Sequence, residues 1–505
     1  NAIAEALDLK SEALWQMHRA QASAELLALA DTTTALAIRM MENLRDVVVY
    51  ESSKLSSARQ SRHLFGRMLR ILYARHEAGE TAAAERAFVF TEKNKAVLLR
   101  QKIAADAAWQ NAGIDAAVIQ EERDLKEQRA YLLNDLFELQ AAAEAPADSV
   151  VEQLKRRIYR VEDKLRQLHR QVEKDYQIAP VEQNSQTTTV ADVRKKLLRA
   201  DECWISYFTD ADSSLVYSIS IEKNSLRFAR KPYAENTVRS FLQLYNEQSQ
   251  AENKAGDPVM FTAFTTAARQ LYVDLVAPAI PEKIPARLTL APDGALALLP
   301  FDVLLYKSMP VGAAVDYAGL PYLISISQLR IAPSASLDLF YAQQDRPRRR
   351  GAYVGFSPDY SGSVLGQVVS GSKVVDSAAV MFKGKAFIGA GAALDTFMRE
   401  AAGHAIIHFH GHAEASDSFP DHSWMAFTSG RPIAGIALPQ DAARTLGRSP
   451  GRLPATELAH CLFAHQVYQS RLDADLVLLS ACETGLGKIA PGEGTLSLSR
   501  AFQAA

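Results

Sequence analysis

Two residues with reactive side chains, Cys482 and His412, each follow a short apolar run near the end of the chain. The run before the cysteine covers 476–479, and the run before the histidine lies within 405–410. Continuous apolar runs of this length are typical of strands that are buried on both faces of a parallel sheet. Because reacting groups gather beyond the carboxyl ends of such strands, we expect the thiol and the imidazole to be presented there.

A thiol beside an imidazole is the pair that nucleophilic cysteine chemistry needs. The thiolate attacks, and the histidine first removes and later returns the proton. Two other interpretations stay open. Cys482 also fits a buried packing residue, since free cysteine is among the most buried residue types. The several histidines also allow a metal site, although the close Cys/His spacing of zinc ligands is absent from the sequence.

Three further histidines, His404, His408 and His410, compete with His412 for the role of general base. Alternation along a strand places His408 and His410 on one face. Only His412 follows Gly411, at the exit from the strand. We therefore predict that His412 is the base and that the other histidines pack or form hydrogen bonds.

The sequence around these residues resembles a known family. Residues 480–485 read SACETG, residues 492–494 read GEG, and residues 496–502 read LSLSRAF. Together with the preceding His412, they resemble the CHAT domain, a caspase-like cysteine peptidase that is associated with tetratricopeptide repeats and related to separase. The resemblance extends from about Thr187 to the end of the chain. Its upstream part rests on three strand-like stretches, 287–305, 322–337 and 353–360.

The resemblance implies an α/β caspase-like sheet domain, with a degenerate first half and a catalytic second half, preceded by an all-α repeat-like and helical-hairpin region. It implies that His412 and Cys482 are the catalytic pair and that the backbone N–H groups of Ala413 and Cys482 form the oxyanion hole. Ala413 stands where the family more often has glycine, which matters only if the backbone there needs positive φ. We expect no cofactor and no metal. The strand and helix that follow the last helix in the family are missing from the sequence, so we expect the catalytic half to be C-terminally incomplete.

Composition sets broad limits on the class of protein. The chain has 505 residues, of which 48% are hydrophobic, enough for about three domains with ordinary cores. A net charge of −2 gives no overall field for nucleic acid or an anionic membrane, although local patches stay possible. Three cysteines are too few for a disulfide framework, and no apolar run is long enough for a membrane span. We expect a cytoplasmic protein that binds no membrane, and the overall charge disfavours a nucleic-acid partner.

We predict four segments from the changes in pattern along the chain. Residues 1–110 are helical and resemble the end of a tetratricopeptide-like array, with Val89, Leu98 and Leu99 in the closing pair of helices. The sequence has no clean 34-residue period, so a plain helical bundle is the alternative. Residues 111–180 form a long helical hairpin or coiled coil. Residues 185–345 form the pseudo-caspase-like half, and residues 346–505 form the catalytic half.

The predicted hairpin has two apolar stripes. The stripe on its second helix has steps of four and three residues, and the first helix supplies a facing stripe. Such a hairpin suits the transmission of a signal, but a spacer explains the pattern equally well. The stripe residues are Leu154, Ile158, Val161, Leu165, Leu168 and Val172 on the second helix, and Leu125, Leu132, Leu136 and Leu139 on the first.

Other elements follow from local patterns. Three runs, 203–209, 214–221 and 225–230, read as a β meander, and Cys203 lies inside the first as a structural residue. In the last segment we predict a loop-rich insertion over 431–453 and a helix over 456–471.

The function that follows is a regulated cysteine endopeptidase with a protein substrate, switched on when a regulatory protein or peptide binds the helical region. In this interpretation the loops 413–423 and 483–494 become ordered on activation, because their glycine, proline and small polar residues allow a change of conformation. The alternative is a catalytically inert scaffold or interaction module. The presence of both His412 and Cys482 at strand ends beside glycines favours the peptidase.

Overall fold

In the computed structural model, most of the chain forms two compact units. The first contains residues 1–101, 184–344 and 489–494, and the second contains residues 102–183, 345–488 and 495–505. The described residues are 2–47, 51–141, 148–177, 188–250, 257–310, 312, 314–343, 351–361, 363, 365–366, 368, 371–416, 420–428, 460–470, 472, 474–481, 487–490 and 492–505.

The first unit begins with helices, and each of the first four packs against its neighbour in the sequence. Their sequences are rich in Ala, Leu, Glu, Lys and Arg, which lose little conformational freedom in a helix. The helices are α1 (Ala2–Gln21), α2 (Ala24–Val47), α3 (Glu51–Glu77), α4 (Ala82–Lys93) and α5 (Val97–Asn111), of which the last begins in the first unit and ends in the second. The predicted all-helical N-terminal region is confirmed.

A five-stranded sheet follows, with strand order β3-β2-β1-β4-β5. The first three strands form an antiparallel meander, as the sequence predicts, whereas β4 and β5 are added in parallel. The strands are β1 (Glu202–Asp210), β2 (Leu215–Ile221), β3 (Leu226–Pro232), β4 (Arg287–Ala291) and β5 (Gln328–Ile331). The helices between and beside them are α8 (Val190–Asp192), α9 (Glu235–Gln250), α10 (Pro258–Leu271) and α11 (Ala335–Gln343).

Alternation along β1 sends its side chains into two different cores. Trp204 and Phe208 pack with residues of α2, α3 and α4 on one face. Ile205 and Tyr207 pack with residues of α9 and α10 on the other. Cys203 lies in this second core, where burial raises the pKa of its thiol to about 12, so its predicted structural placement is confirmed. The first unit therefore has a sheet between two helical layers.

A buried carboxylate ties the helical layer to this sheet. Asp293, in the turn after β4, pairs with Arg62 of α3 and accepts a hydrogen bond from the N–H of Thr209 at 2.7 Å. Burial raises the pKa of Asp293, but the charges of Arg62 and Lys95 and the Thr209 bond outweigh it and hold the pKa below its usual value. The turn depends on Gly294, whose φ of +57° is favourable only for glycine.

The second unit contains the predicted helical hairpin, formed by α6 (Ala116–Ala141) and α7 (Asp148–Asp175). The two helices run antiparallel, because Glu122 near the start of α6 contacts His169 near the end of α7, with Oε1 and Nε2 2.8 Å apart. Most of the predicted stripe residues form one cluster: Leu125, Leu132, Leu136, Leu154, Ile158, Val161, Leu165 and Leu168.

A four-stranded parallel sheet with order β12-β8-β6-β7 is the centre of the second unit. One face of this sheet packs against helices α13, α14 and α15 through Phe356, Ile407 and Phe409. Helix α12 packs on the opposite face, where the hydroxyl of Tyr353 lies 3.4 Å from the carbonyl oxygen of Val375. The elements are β6 (Gly351–Pro358), α12 (Gly371–Met381), β7 (Lys385–Gly389), α13 (Leu394–Glu400), β8 (His404–His410), α14 (Ala464–Gln469), β12 (Leu476–Ser480) and α15 (Leu498–Ala504).

Short strands complete the described elements. A three-stranded antiparallel sheet has the order β11-β10-β9. Its strands are β9 (Ala413–Glu414), β10 (Trp424–Ala426) and β11 (Cys461–Phe463), and the remaining strands are β13 (Lys488–Ala490) and β14 (Gly494–Leu496).

Two predictions for the second unit were wrong. We expected β12 to be buried on both faces, but it is the last strand of its sheet in the described part of the chain, with Leu476 47% and Leu478 36% exposed. We also expected one helix over 456–471. Residues 461–463 instead form β11, and the helix covers only Ala464–Gln469. The predicted insertion over 431–453 lies outside the described residues.

Among the helices that the structure describes, none is long and apolar enough to cross a membrane.

Candidate active site

The pairing of β8 with β12 aligns the two candidate strand ends. His408 pairs with Leu478 and His410 pairs with Ser480 in parallel register. The pairing is continued by the N–H of Gly411, which donates to the carbonyl oxygen of Ser480 at 3.2 Å. In the sequence, His412 follows His410 by two positions and Cys482 follows Ser480 by two positions. Cys482 lies outside the described residues, so the structure describes the histidine side of the candidate pair.

The imidazole of His412 is half-buried and oriented by a backbone carbonyl. Its Nε2 lies 3.0 Å from the carbonyl oxygen of Gly366. Because a carbonyl oxygen only accepts hydrogen bonds, Nε2 must carry the proton, and in the neutral ring Nδ1 then has the lone pair. This arrangement leaves Nδ1 as the nitrogen that can remove a proton from a neighbouring group.

Tyr360 orients the backbone of the same histidine. Its buried hydroxyl accepts from the N–H of His412 at 3.0 Å and donates to the carbonyl oxygen of Ala426 at 2.7 Å. Its ring meets the imidazole edge-on, with centroids 4.8 Å apart. A Cβ atom on Gly411 would lie 2.3 Å from the Tyr360 hydroxyl oxygen, so only glycine permits this approach.

The other histidines of β8 have different surroundings. Nδ1 of buried His408 lies 2.8 Å from the hydroxyl of Tyr353, and its Nε2 lies 3.3 Å from Oγ of Ser480. Burial, with a smaller contribution from neighbouring His410, lowers the pKa of His408. This histidine is therefore neutral near pH 7 and has both ring nitrogens engaged.

His410 and His404 each have an Nδ1 atom that is buried and has no hydrogen-bond partner among the described residues. His410 lies close to the N-terminus of α12, where a Cβ atom on Gly371 would come within 2.6 Å of its ring. His404 is at the start of β8, at the opposite end of the strand from His412.

Ala413, the predicted oxyanion-hole residue, lies in β9 opposite Met425. The N–H of Ala426 donates to the carbonyl oxygen of His412 at 2.9 Å. This bond makes Ala413 and Met425 a non-hydrogen-bonded pair, in which the N–H of Ala413 points away from β10. Because the backbone is extended here, alanine is accommodated without the strain of positive φ.

Among the residues that the structure describes, no group of three or more His, Cys, Asp or Glu side chains is arranged to bind a metal ion.

The family model of the CHAT domain matches residues 265–505. The chain contains a CHAT domain. This family is related to the caspase-like cysteine peptidases. The match begins within α10, later than the residue near 187 at which we expected the resemblance to start. No curated protein matches the chain.

Sequence reasoning did not single out two residues that orient His412 in the CHAT domain, Tyr360 and Gly366. Tyr360 follows the carboxyl end of β6, the strand that pairs with β8 on the side opposite β12. That position was the available signal, because side chains that follow neighbouring parallel strands gather at the same edge of a sheet. Gly366 contributes only its carbonyl oxygen, which no side-chain pattern reveals.

We expect Tyr360→Phe to loosen the backbone at His412. The substitution leaves the N–H of His412 and the carbonyl of Ala426 without their partner, which costs roughly 1–3 kcal/mol when such groups are buried. Hydrogen exchange at the amide of His412 should then be about 5- to 150-fold faster. The control is Tyr233→Phe, since the buried hydroxyl of Tyr233 has no hydrogen-bond partner among the described residues. Unchanged exchange at His412 in Tyr360→Phe would contradict the assigned role.

Proposed function

We propose that the chain is a regulated cysteine endopeptidase in which Cys482 is the nucleophile and His412 the general base. The proposal includes a caspase-like architecture for the CHAT domain and retains the four segments predicted from the sequence. The observation that carries it is the in-register pairing of His410 with Ser480, because His412 and Cys482 follow that pair by equal steps in the sequence. The orientation of the His412 ring by Gly366 is a second support.

In the proposed reaction, the Cys482 thiolate forms a bond to the scissile carbonyl carbon. The C–N bond then breaks, and the leaving amine takes a proton from His412. Water that loses a proton to His412 next displaces the thiolate from the thioester, which releases the new carboxyl group. No redox partner or cofactor enters these steps.

The developing oxyanion would be stabilised by backbone N–H groups of Ala413 and Cys482. The described backbone supports the first of these, since the N–H of Ala413 points away from β10 and is not used in that pairing. An alanine at this position supplies the same N–H donor as glycine.

We predict that Cys482→Ala abolishes cleavage, because the reaction has no other nucleophile. The measurement is digestion of a proteome-derived peptide library by the full chain, read by mass spectrometry. Cys203→Ala is the matched control, since Cys203 is a buried core residue. Cleavage by the Cys482→Ala variant at the wild-type rate would end the cysteine-peptidase proposal.

We also predict that His412→Ala lowers the single-turnover cleavage rate by about 10²- to 10⁴-fold, the usual contribution of a general base. His410→Ala is the matched control, because it makes the same change two residues earlier on the same strand. Loss of cleavage in His410→Ala with cleavage retained in His412→Ala would assign the base to His410 instead.

Regulation through the helical region is the second part of the proposal, and contacts inside the first unit support it. Residues 489–494 belong to the first unit, although the residues on either side of them belong to the second. The carboxylate of Glu493 accepts a hydrogen bond from the N–H of Leu98 at 2.9 Å, and the carbonyl oxygen of Gly492 accepts from the N–H of Ala96 at 2.7 Å. The segment that follows the proposed nucleophile is thus bound to the start of α5.

Glu493 supplies a cap that α5 lacks in its own sequence. The residue before α5 is Ala96, which has no side-chain acceptor for the free N–H groups at the helix start. A carboxylate at this position also interacts favourably with the helix dipole. Glu493 is only 4% exposed, and a Cβ atom on Gly492 would lie 2.4 Å from the carbonyl oxygen of Asn94, so the fit is close.

We propose that this contact belongs to the partner-free, latent arrangement and that a protein or peptide bound to the helical region weakens it. A partner can shift the balance only by binding the active arrangement more tightly. Its site would be the tetratricopeptide-like part of the helical region, within residues 1–110.

We expect Glu493→Ala to raise partner-free cleavage of the peptide library, because it removes a cap worth about 0.5–2 kcal/mol. If the whole of that energy stabilises the latent arrangement and none of it the active one, the cleavage rate should rise about 2- to 30-fold. Glu235→Ala, which removes an exposed carboxylate from α9, is the control. Equal or lower activity in Glu493→Ala than in the control would show that the contact does not restrain the enzyme.

A further inference from the structure

One face of α7 has a concentration of positive charge that the rest of the chain does not suggest. Between Lys155 and Arg170 the sequence has seven lysines and arginines and two carboxylates, a net charge of +5, whereas the whole chain has −2. We define the basic stripe as Arg156, Arg157, Arg160 and Lys164. All four side chains are exposed.

The basic stripe is not neutralised by its surroundings. None of its four residues forms an ion pair with a carboxylate that the structure describes, whereas Lys155 pairs with Glu152 and Arg166 pairs with Asp163 on the same helix. Arg156, Arg160 and Lys164 follow one another at intervals of four residues, which makes them neighbours on the helix surface. Like charges at this spacing destabilise a helix, so the stripe is unfavourable for the hairpin alone and becomes favourable beside an anionic partner.

An exposed aromatic ring adjoins the basic stripe. Tyr159 is 59% exposed, although the apolar side of α7 is buried against α6. It follows Arg156 by three positions and Lys155 by four, so its ring is flanked by cations. Exposed rings beside basic residues are the arrangement with which proteins stack the bases of single-stranded nucleic acids.

We propose that α7 binds single-stranded nucleic acid, with the basic stripe on the phosphates and Tyr159 stacked on a base. Arg156, Arg160 and Lys164 span about 12 Å of helix, so their cations can lie along consecutive phosphates of one strand. An acidic protein segment would match the charge but has no bases to stack on Tyr159. The net charge of −2 for the whole chain disfavours a nucleic-acid partner. A net charge does not exclude a local basic patch, however, and the basic stripe is such a patch.

The test measures binding of a fluorescently labelled single-stranded uridine oligonucleotide to the full chain by anisotropy over a range of salt concentrations. For wild type we expect a plot of log affinity against log salt with a slope of about −3, since each neutralised phosphate contributes about −0.7 for single strands. Replacing the four stripe residues by alanine should bring the slope near zero and weaken binding at least tenfold. The matched control removes the same charge from exposed lysines elsewhere: Lys195, Lys283, Lys307 and Lys373.

Substitutions of Tyr159 separate nucleic acid from other polyanions. Tyr159→Ala should weaken oligonucleotide binding by about tenfold, whereas Tyr159→Phe, which keeps the ring, should bind as wild type does. Heparin is the competing probe without bases. If wild type does not bind the oligonucleotide, if the stripe variant and the control lose equal affinity, or if heparin binds as tightly while Tyr159→Ala has no effect, the proposal is wrong.

Discussion

The parallel pairing of β8 with β12 is the constraint on which the candidate site depends. A shift of one residue in this register would send every side chain of β12 to the opposite face of the sheet. With the observed register, His408 pairs with Leu478, His410 pairs with Ser480, and the N–H of Gly411 extends the pairing by one more bond. The two strands therefore end at the same level of the sheet. A thiol and an imidazole that follow these ends at equal distances in the sequence need this alignment to act together.

The surroundings of His412 show how a half-buried imidazole is held in one orientation. Its main chain is fixed by the Tyr360 hydroxyl, which also binds Ala426 of the neighbouring strand β10, and its ring is fixed by the carbonyl of Gly366. Gly411 is required because any side chain there would collide with Tyr360. The chemistry proposed for His412 thus relies on residues that do not react, and each of them acts through position and not through charge.

The two units have different ways of joining distant parts of the chain. In the first unit, buried polar groups do this: Asp293 joins α3 to the sheet, and Glu493 caps α5 from nearly four hundred residues away in the sequence. In the second unit, the described contacts of the central sheet are mainly apolar, through Phe356, Ile407 and Phe409. A buried acceptor is costly to leave without a hydrogen bond, so Glu493 favours an arrangement in which its segment lies against the start of α5.

The sequence predicted elements whose signals are local, and it did not predict the contacts between them. The meander and the hairpin were correct because alternation and heptad-like spacing are read from neighbouring residues. The burial of β12 was wrong because strand order is not encoded in the apolar run itself. The helix over 456–471 was wrong at residues 461–463, since a three-residue apolar run has no period that separates strand from helix. Tyr360 and Glu493 were missed because their partners are 52 and 395 residues away.

The most direct test of the central claim is the rate of alkylation of Cys482 by iodoacetamide as a function of pH, in wild type and in His412→Ala. Mass spectrometry distinguishes Cys482 from Cys203 and Cys461, which are buried and should react slowly. If His412 and Cys482 form a pair, the midpoint for Cys482 in wild type should lie below the ordinary thiol pKa of about 8.5 and should return to about that value in His412→Ala. The same midpoint in both proteins would contradict the dyad.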